Sequence, residues 1–258
     1  MAHWVLGRRC GSFPLLYHWR VLAGAPAVPP ELADPRMVAY WGGSAAVRER
    51  LAALADASAS LVLFLEHLPQ NLSEWLAGEA AGGPDRVAAA CSMVERELRT
   101  AVAFMNSNGL LHFDAHFRNV LTDGRRLYLA DLGLASSPRF ALADDERAFL
   151  RNHLTYDRCQ TVTELVNWLV TALPGSVPPA AERDELIRRY ADGADPGADV
   201  PPPAAAVIRR YAPIVATMNG FYLRLHLESR ATPYPADQLR QLCATIAPDG
   251  WPGPIMTG

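Results

Sequence analysis

A compact strand–loop–strand segment follows a long amphipathic helix and precedes a helix whose apolar face is broad enough for burial on most sides. Apolar residues recur at helical spacing before and after the segment, and the strands between them are short and apolar. The loop inside it is polar, and Asp123-Gly124 is a typical turn pair. The pattern predicts a mixed α+β fold that positions a polar loop. The predicted helices cover 85–106 and 157–173, and the predicted strands cover 110–112, 119–121 and 127–131.

The rest of the chain adds one apolar run and several helices to this prediction. Residues 60–65 form a short continuous apolar run, which predicts a buried strand and ordinary core at Leu61–Leu65. A helical pattern precedes it at 44–57. Residues 174–206 are rich in Pro, Ala and Asp and predict mostly loop, with a short helix near 182–190. The last predicted helices cover 205–229 and 235–246.

The polar loop carries residue types that suit phosphoryl transfer from ATP. Such a reaction needs a carboxylate to orient the attacking hydroxyl, and hard oxygen ligands to hold Mg²⁺ against the phosphates. Asp114 is a candidate for the first role. Asn119 and Asp131 are candidates for the second, and Gly133 allows a sharp turn beside Asp131.

This arrangement resembles the protein-kinase-like superfamily, whose pattern HxDxxxxN, short hairpin and DxG is present here as HFDAHFRN and DLG. The resemblance extends to atypical bacterial-type protein kinases and to aminoglycoside phosphotransferases. It implies a kinase-like fold with a reduced N-terminal lobe and a mainly α-helical C-terminal lobe. Residues 1–68 would form the partial N-lobe and hinge, and residues 69–258 the C-lobe, together one kinase-like domain.

The resemblance also implies a role for each candidate residue, with ATP and Mg²⁺ as cofactors. The γ-phosphate of ATP would move to the hydroxyl of a protein Ser/Thr or of a small molecule. Asp157 would brace the catalytic loop from below. The implied catalytic residues are Asp114, His116 and His112; the implied cofactor-binding residues are Glu66 and Leu68, by their backbone, and Asn119; the implied metal ligands are Asn119 and Asp131.

Two departures from typical protein kinases favour a small-molecule or atypical substrate. The residue two positions after Asp114 is His116, where most protein kinases have Lys and aminoglycoside phosphotransferases often have His. The segment between Asp131 and Asp157 is also shorter than a typical peptide-docking activation segment and contains no APE-like motif.

A third departure from typical protein kinases is that the N-terminal lobe is incomplete. All 24 cationic Lys/Arg residues are Arg, and no glycine-rich phosphate loop precedes residue 60. In the register that we favour, Leu15–Leu22 is the fourth strand of the lobe, and the chain begins inside the preceding helix. In the other register it is the third strand, where Arg20 replaces the phosphate-binding lysine and pairs with Glu49, although Arg mimics Lys poorly there.

These departures leave two other functions open. The chain could be a pseudokinase, which keeps the fold as a nucleotide-binding or scaffolding module without turnover. Alternatively, His112, Asp114 and His116 could form the HxDxH metal cluster of a hydrolase. The second reading does not account for Asn119 or the DLG motif.

Composition excludes several other classes. The net charge of −3 gives no basic field for nucleic acid or an anionic membrane. No apolar run approaches the roughly 20 residues that cross a bilayer, and the first residues do not resemble a signal peptide. The four cysteines are widely spaced, which argues against a zinc site or a disulfide framework. We therefore expect a cytoplasmic protein.

Overall fold

A computed structural model describes residues 1–25, 34–173 and 179–246. The structure is mixed α and β with small sheets, which confirms the predicted α+β class. In chain order the helices in the described ranges are α1 (Ala2–Leu6), α2 (Pro35–Tyr40), α3 (Ala45–Ala55), α4 (Leu72–Ala81), α5 (Pro84–Ser107), α6 (Asp144–Asn152), α7 (Tyr156–Ala172), α8 (Ala180–Ala191), α9 (Pro202–Leu227) and α10 (Ala236–Ile246). The strands are β1 (Leu16–Ala23), β2 (Ala59–Leu65), β3 (Gln70–Asn71), β4 (Val120–Thr122) and β5 (Leu127–Leu129).

The chain divides into two compact units. The larger comprises Met1–Pro14, Leu68–Tyr222 and Pro233–Gly258, and the smaller comprises Leu15–His67 and Leu223–Thr232. The resemblance implies one lobe for all of residues 1–68; in the structure, Trp4 and Phe13 of that range lie in the core of the larger unit. Among the described residues, no helix is both long and apolar enough to cross a membrane.

The core of the larger unit is built around α5 and α7, which pack against each other. Helix α5 begins at Pro84, a residue suited to the first helical position because it has no N–H to leave unpaired. It ends before Gly109, whose φ of +75° breaks the helix, as the sequence predicts. The apolar faces of both helices are buried, including Leu98 and Met105 on α5 and Leu165 and Leu169 on α7.

A three-stranded antiparallel sheet in the order β3-β4-β5 lies in the larger unit. Strands β4 and β5 form the predicted hairpin, with Val120 opposite Leu129. Asp123 caps its turn by accepting the backbone N–H groups of Arg125 and Arg126, each at 2.8 Å. The strand predicted at 110–112 is wrong: only an isolated bridge from Leu111 to Ser136 forms. The N–H of His112 bonds to a side chain instead of a neighbouring strand.

The smaller unit contains the two-stranded antiparallel sheet of β1 and β2, with Trp19 opposite Leu63 and Val21 opposite Leu61. The prediction that residues 60–65 form a buried strand is wrong, because Leu61 is 62% exposed and Leu63 50% exposed. A two-stranded sheet has two faces to cover, and the described residues of this unit include no buried apolar side chain. Helix α3, predicted over 44–57, likewise has no buried residue.

The C-terminal helices follow the predicted positions closely. Helix α8 is longer than the short helix predicted near 182–190, and it buries Ile187. Helix α9 starts at Pro202 and continues through Pro213. Residues 174–178 of the predicted loop lie outside the described residues, as do residues 247–258 of the predicted C-lobe.

Candidate active site

One face of α7 holds the backbone of the polar loop. The Asp157 carboxylate accepts the N–H of His112 through Oδ2 at 2.8 Å and the N–H of Phe113 through Oδ1 at 2.9 Å. One turn further along α7, Gln160 Oε1 accepts the N–H of Ala115 at 3.0 Å. These acceptors lie three residues apart on the helix and therefore share a face. The loop backbone is fixed to a buried helix, which is what a rigidly positioned site needs.

The face continues to Glu164, seven residues after Asp157. Its carboxylate interacts with the backbone N–H of Phe117. Burial raises the pKa of this carboxyl, while the Phe117 N–H and the charges of His116 and Arg118 act in the opposite direction. Glu164 therefore extends the support of the loop from its beginning at His112 to its middle.

Asp157 is the most buried acid of the site, with no exposed surface. Besides the two loop N–H groups, its Oδ2 accepts the side-chain amide of Asn106 at 2.8 Å. The same amide nitrogen donates to the carbonyl of Leu110 at 3.0 Å, which ties the end of α5 to the loop. Burial raises the pKa of the Asp157 carboxyl, and the N–H donors oppose that shift. Asp157 therefore holds the backbone of the polar loop, and its role beside a catalytic centre stays a prediction.

The backbone of Phe113, whose N–H is bound by Asp157, is strained. Its φ of +63° is uncommon for a residue with a bulky side chain. The ring is held by aromatic packing, with centroids 5.5 Å from Phe149 and 5.6 Å from Tyr156. Strain of this kind persists only where the surroundings enforce it, and it is concentrated at functional sites. Here it fixes the backbone immediately before Asp114.

Asp114 carries a partly exposed carboxylate, with 32% of the side chain accessible. Asn119 Nδ2 donates to the backbone carbonyl of Asp114 and to its Oδ2, both at 3.0 Å. His116 Nε2 lies 3.6 Å from Asp114 Oδ1. The carboxylate is therefore oriented from two sides and still accessible to solvent. Among the predicted residues, Asp114, His116 and Asn119 are brought together.

His112 is buried and holds the loop through both ring nitrogens. Its Nδ1 accepts the backbone N–H of Asp114 at 3.3 Å. The other nitrogen, Nε2, therefore carries the proton and donates to the carbonyl of Ala130 at 2.9 Å. With no exposed surface, this side chain is a positioning residue that joins the loop to the end of β5.

His116 differs from His112 because one of its nitrogens is unpaired. Nδ1 is buried without a hydrogen-bond partner among the residues described. About a third of the side chain is exposed. A buried polar atom of this kind costs free energy unless something outside the described chain satisfies it. His116 is thus the loop residue whose hydrogen bonding is incomplete.

Asp131 and Asn119 lie at the same end of the β4–β5 hairpin. Asn119 immediately precedes β4 and Asp131 closely follows β5, and the Ala130 N–H donates to the Asn119 carbonyl at 2.9 Å. Asp131 has a φ of +51°, and its exposed carboxylate accepts the Gly133 N–H at 3.4 Å. Because Asn119 Nδ2 is committed to Asp114, its Oδ1 is the atom that could bind a cation. An amide oxygen and a carboxylate are hard donors, so the pair fits Mg²⁺.

The two predicted hinge residues belong to different units. In the smaller unit, the Glu66 N–H donates to the Leu15 carbonyl at 2.8 Å, and Glu66 Oε2 accepts the Leu15 N–H at 3.1 Å. Leu68 begins the 68–222 segment of the larger unit and is half-buried. Contact of either backbone with adenine stays a prediction.

Arg20 does not make the ion pair that the second strand register requires. Its Nε donates to His18 Nε2 at 3.1 Å, and both residues are exposed. In the ranges that the structure describes, no ion pair joins Arg20 to Glu49. The contacts of Arg20 therefore do not support it as the phosphate-binding residue of the second strand register.

Sequence reasoning missed Asn106, Gln160 and Glu164. Gln160 and Glu164 follow Asp157 at the spacing of one helix face, and this run of polar residues is the signal that could have identified them. No family model matches the chain, and no curated protein gives a significant match.

Proposed function

We propose that the protein is an ATP- and Mg²⁺-dependent phosphotransferase of the kinase-like type, which moves the γ-phosphate to a hydroxyl. The observation that carries the proposal is the arrangement of Asp114 and Asn119. They bond to each other on a loop fastened to α7, and the end of the hairpin adds Asp131. The three side chains match two tasks of phosphoryl transfer, orientation of the acceptor hydroxyl and binding of Mg²⁺, in a reaction that depends on positioning and charge neutralisation.

Each side chain has a defined part in this reaction. Asp114 accepts a hydrogen bond from the acceptor hydroxyl and takes its proton, since its carboxylate is oriented and partly exposed. Asn119 Oδ1 and the Asp131 carboxylate would hold Mg²⁺. That ion supplies neutralisation of phosphate charge when bound. His112 and Asp157 keep the loop in place.

The acceptor is a protein Ser/Thr or a small molecule. His116 beside Asp114, and the short segment that leads from Asp131 to Asp157, favour the small molecule. About a third of the His116 side chain is exposed, so a bound phosphate or substrate can contact it. The backbones of Glu66 and Leu68 are the proposed adenine contacts.

A nucleotide-binding or scaffolding pseudokinase is the second candidate. It is favoured by the absence of lysine from the sequence and by the engagement of Arg20 with His18.

A metallohydrolase built on His112, Asp114 and His116 is disfavoured, because both His112 nitrogens are engaged. Nor do the described ranges contain a cluster of three metal-binding side chains.

The first test measures thermal unfolding with ATP, with Mg²⁺ and with both. Because a ligand that binds only the native state stabilises it, saturating Mg·ATP should raise the Tm by about 5 °C. Asp131→Ala should lose the Mg²⁺-dependent part of this shift. Asp199→Ala, an exposed aspartate outside the loop, is the matched control and should behave as the wild type.

Transfer is measured on the same proteins with γ-labelled ATP and hydroxyl acceptors, a Ser/Thr peptide and an aminoglycoside. Asp114→Asn should retain the thermal shift and lose transfer by 10²-fold or more, on the order of a general-base contribution. A shift without transfer in the wild type would support the pseudokinase. No Mg²⁺-dependent shift in the wild type would contradict the phosphotransferase and the nucleotide-binding pseudokinase, and would leave only the scaffolding form of the second candidate.

A further inference from the structure

Two cysteines that are distant in sequence meet in the core of the larger unit. Cys159 on α7 and Cys243 on α10 have their Sγ atoms 3.7 Å apart. Both are free thiols, 0% and 4% exposed respectively. A disulfide has an S–S bond of about 2.05 Å, so the two sulfurs must approach each other further before a bond forms. The two thiols are therefore in direct contact, with no side chain between them.

The electrostatic surroundings of the two thiols differ. Burial and the contact with Cys243 raise the pKa of Cys159. The pKa of Cys243 is lowered by the hydrogen bond from the Cys159 thiol, and the positive charge of Arg158 adds to that effect. Arg158 also donates to the Cys243 carbonyl at 3.1 Å. Since the thiolate is the reactive form, Cys243 is the first nucleophile of the pair.

Cys243 also lies on the element that can expose it at least cost. Helix α10 buries only Leu239 and Cys243, and most of its other side chains are exposed. Elements with few buried apolar contacts open locally at a fraction of the global free energy. In contrast, Cys91 is fully buried on α5, and burial raises its pKa to about 12.

We propose that Cys159 and Cys243 form a reversible disulfide that fastens α10 to α7 when the protein meets a low-molecular-weight disulfide such as oxidised glutathione. The Cys243 thiolate attacks one glutathione sulfur and releases one glutathione thiolate. The Cys159 thiol then loses its proton and attacks the Cys243 sulfur, which releases the second glutathione. Two protein thiols lose two electrons, and one oxidised glutathione becomes two reduced glutathiones.

The bond would act on the helix that supports the candidate active site. Cys159 lies between Asp157 and Gln160, the two residues that accept loop N–H groups. Oxidation would therefore attach the terminal helix to the loop-bearing turn of α7. The disulfide itself does not depend on which reaction the loop performs.

The experiment equilibrates the reduced native chain in glutathione buffers of increasing oxidised fraction, followed by acid quenching, alkylation and peptide mapping. Trypsin cleaves this chain only after arginine, so the peptides 159–183 and 241–258 report the pair. We expect these peptides to become linked while Cys10 and Cys91 are alkylated as thiols. The oxidised protein should melt about 5 °C higher, as cross-linking a long loop predicts.

A second arm refolds the reduced chain from urea in the same buffers, so that the thiols meet the oxidant before they are buried. Cys159→Ser and Cys243→Ser should each abolish the linked peptides, and Cys91→Ser should not. The proposal is overturned if the pair stays reduced in both arms, or if it oxidises only with loss of the helical circular dichroism signal. Equal oxidation of Cys91 would overturn it as well.

Discussion

A buried carboxylate at the start of α7 organises the loop at the scale of single residues. Asp157 accepts hydrogen bonds from the backbone of His112 and Phe113 and from the side chain of Asn106. The bonds from His112 and Asn106 are buried and the bond from Phe113 is partly buried, so the donors would lack an acceptor if the carboxylate were removed. Asp157 therefore links the stability of the larger unit to the geometry of Asp114.

Removal of this carboxylate should destabilise the protein strongly. Asp157→Ala leaves these N–H donors without their acceptor, and we expect a loss of about 3–5 kcal/mol in the free energy of unfolding. Asp157→Asn keeps one carbonyl acceptor and should lose less. Urea unfolding followed by circular dichroism measures both, with Asp199→Ala expected to stay within about 0.5 kcal/mol of the wild type. A loss below about 1 kcal/mol for Asp157→Ala would show that the loop does not depend on the carboxylate.

The loop residues show what sequence can and cannot predict at this scale. Asp114, Asn119 and Asp131 follow from motif spacing, and the structure brings Asp114 and Asn119 into contact. The acceptor residues Gln160 and Glu164 could not be predicted in the same way. Their partners are backbone N–H groups, which every residue carries and no spacing distinguishes.

Long helices are the elements that sequence predicted best, because a broad apolar face repeats over many turns. Helix α7 follows the prediction for 157–173 within one residue at each end. The apolar run at 60–65 was assigned correctly as a strand but wrongly as buried. Burial depends on what covers a strand, and periodicity within the strand carries no information about that. The contact between Cys159 and Cys243 could not be predicted either, because periodicity within one helix does not show which other helix packs against it.

Helix α6 ends in an aromatic stack that should make stability depend on pH. The His153 ring lies between Phe149 and Tyr234, with centroid distances of 3.8 Å and 4.6 Å. Burial lowers the pKa of His153, although the Phe149 carbonyl opposes that shift. The neighbouring Tyr156 stays neutral because burial raises its pKa. Asp237 and Arg240 line the adjacent cavity of about 480 Å³.

Acid should therefore lower the free energy of unfolding, because it protonates His153. The folded state binds this proton less readily than the unfolded state, whose pKa is about 6.5. The free energy of unfolding should be fully retained above that pH and should fall as the pH drops towards the lower folded pKa. His153→Phe keeps a ring in the stack and should flatten the difference between pH 7.5 and 5.5 in urea unfolding. His67→Gln changes an exposed histidine and should leave it unchanged. An unaltered pH slope in His153→Phe would contradict this assignment.

The two units differ in how they are stabilised at the scale of the whole molecule. The buried apolar residues in the described ranges all belong to the larger unit. The smaller unit has paired strands and capped helices instead, and its sheet exposes Trp19, Val21, Leu61 and Leu63. Because hydrophobic burial is the dominant favourable term in folding, the larger unit should hold most of the stability.

Hydrogen exchange tests this contrast along the chain. Amides of α5 and α7, which are surrounded by core residues, should exchange only through global unfolding. The hydrogen-bonded amides of β1 and β2 should exchange through local opening and so be protected at least about tenfold less. The comparison uses only amides that are hydrogen-bonded in the structure, so that pairing is matched and burial differs. If β2 were protected as strongly as α7, its exposed leucines would have to be covered in solution by something that the described chain does not provide.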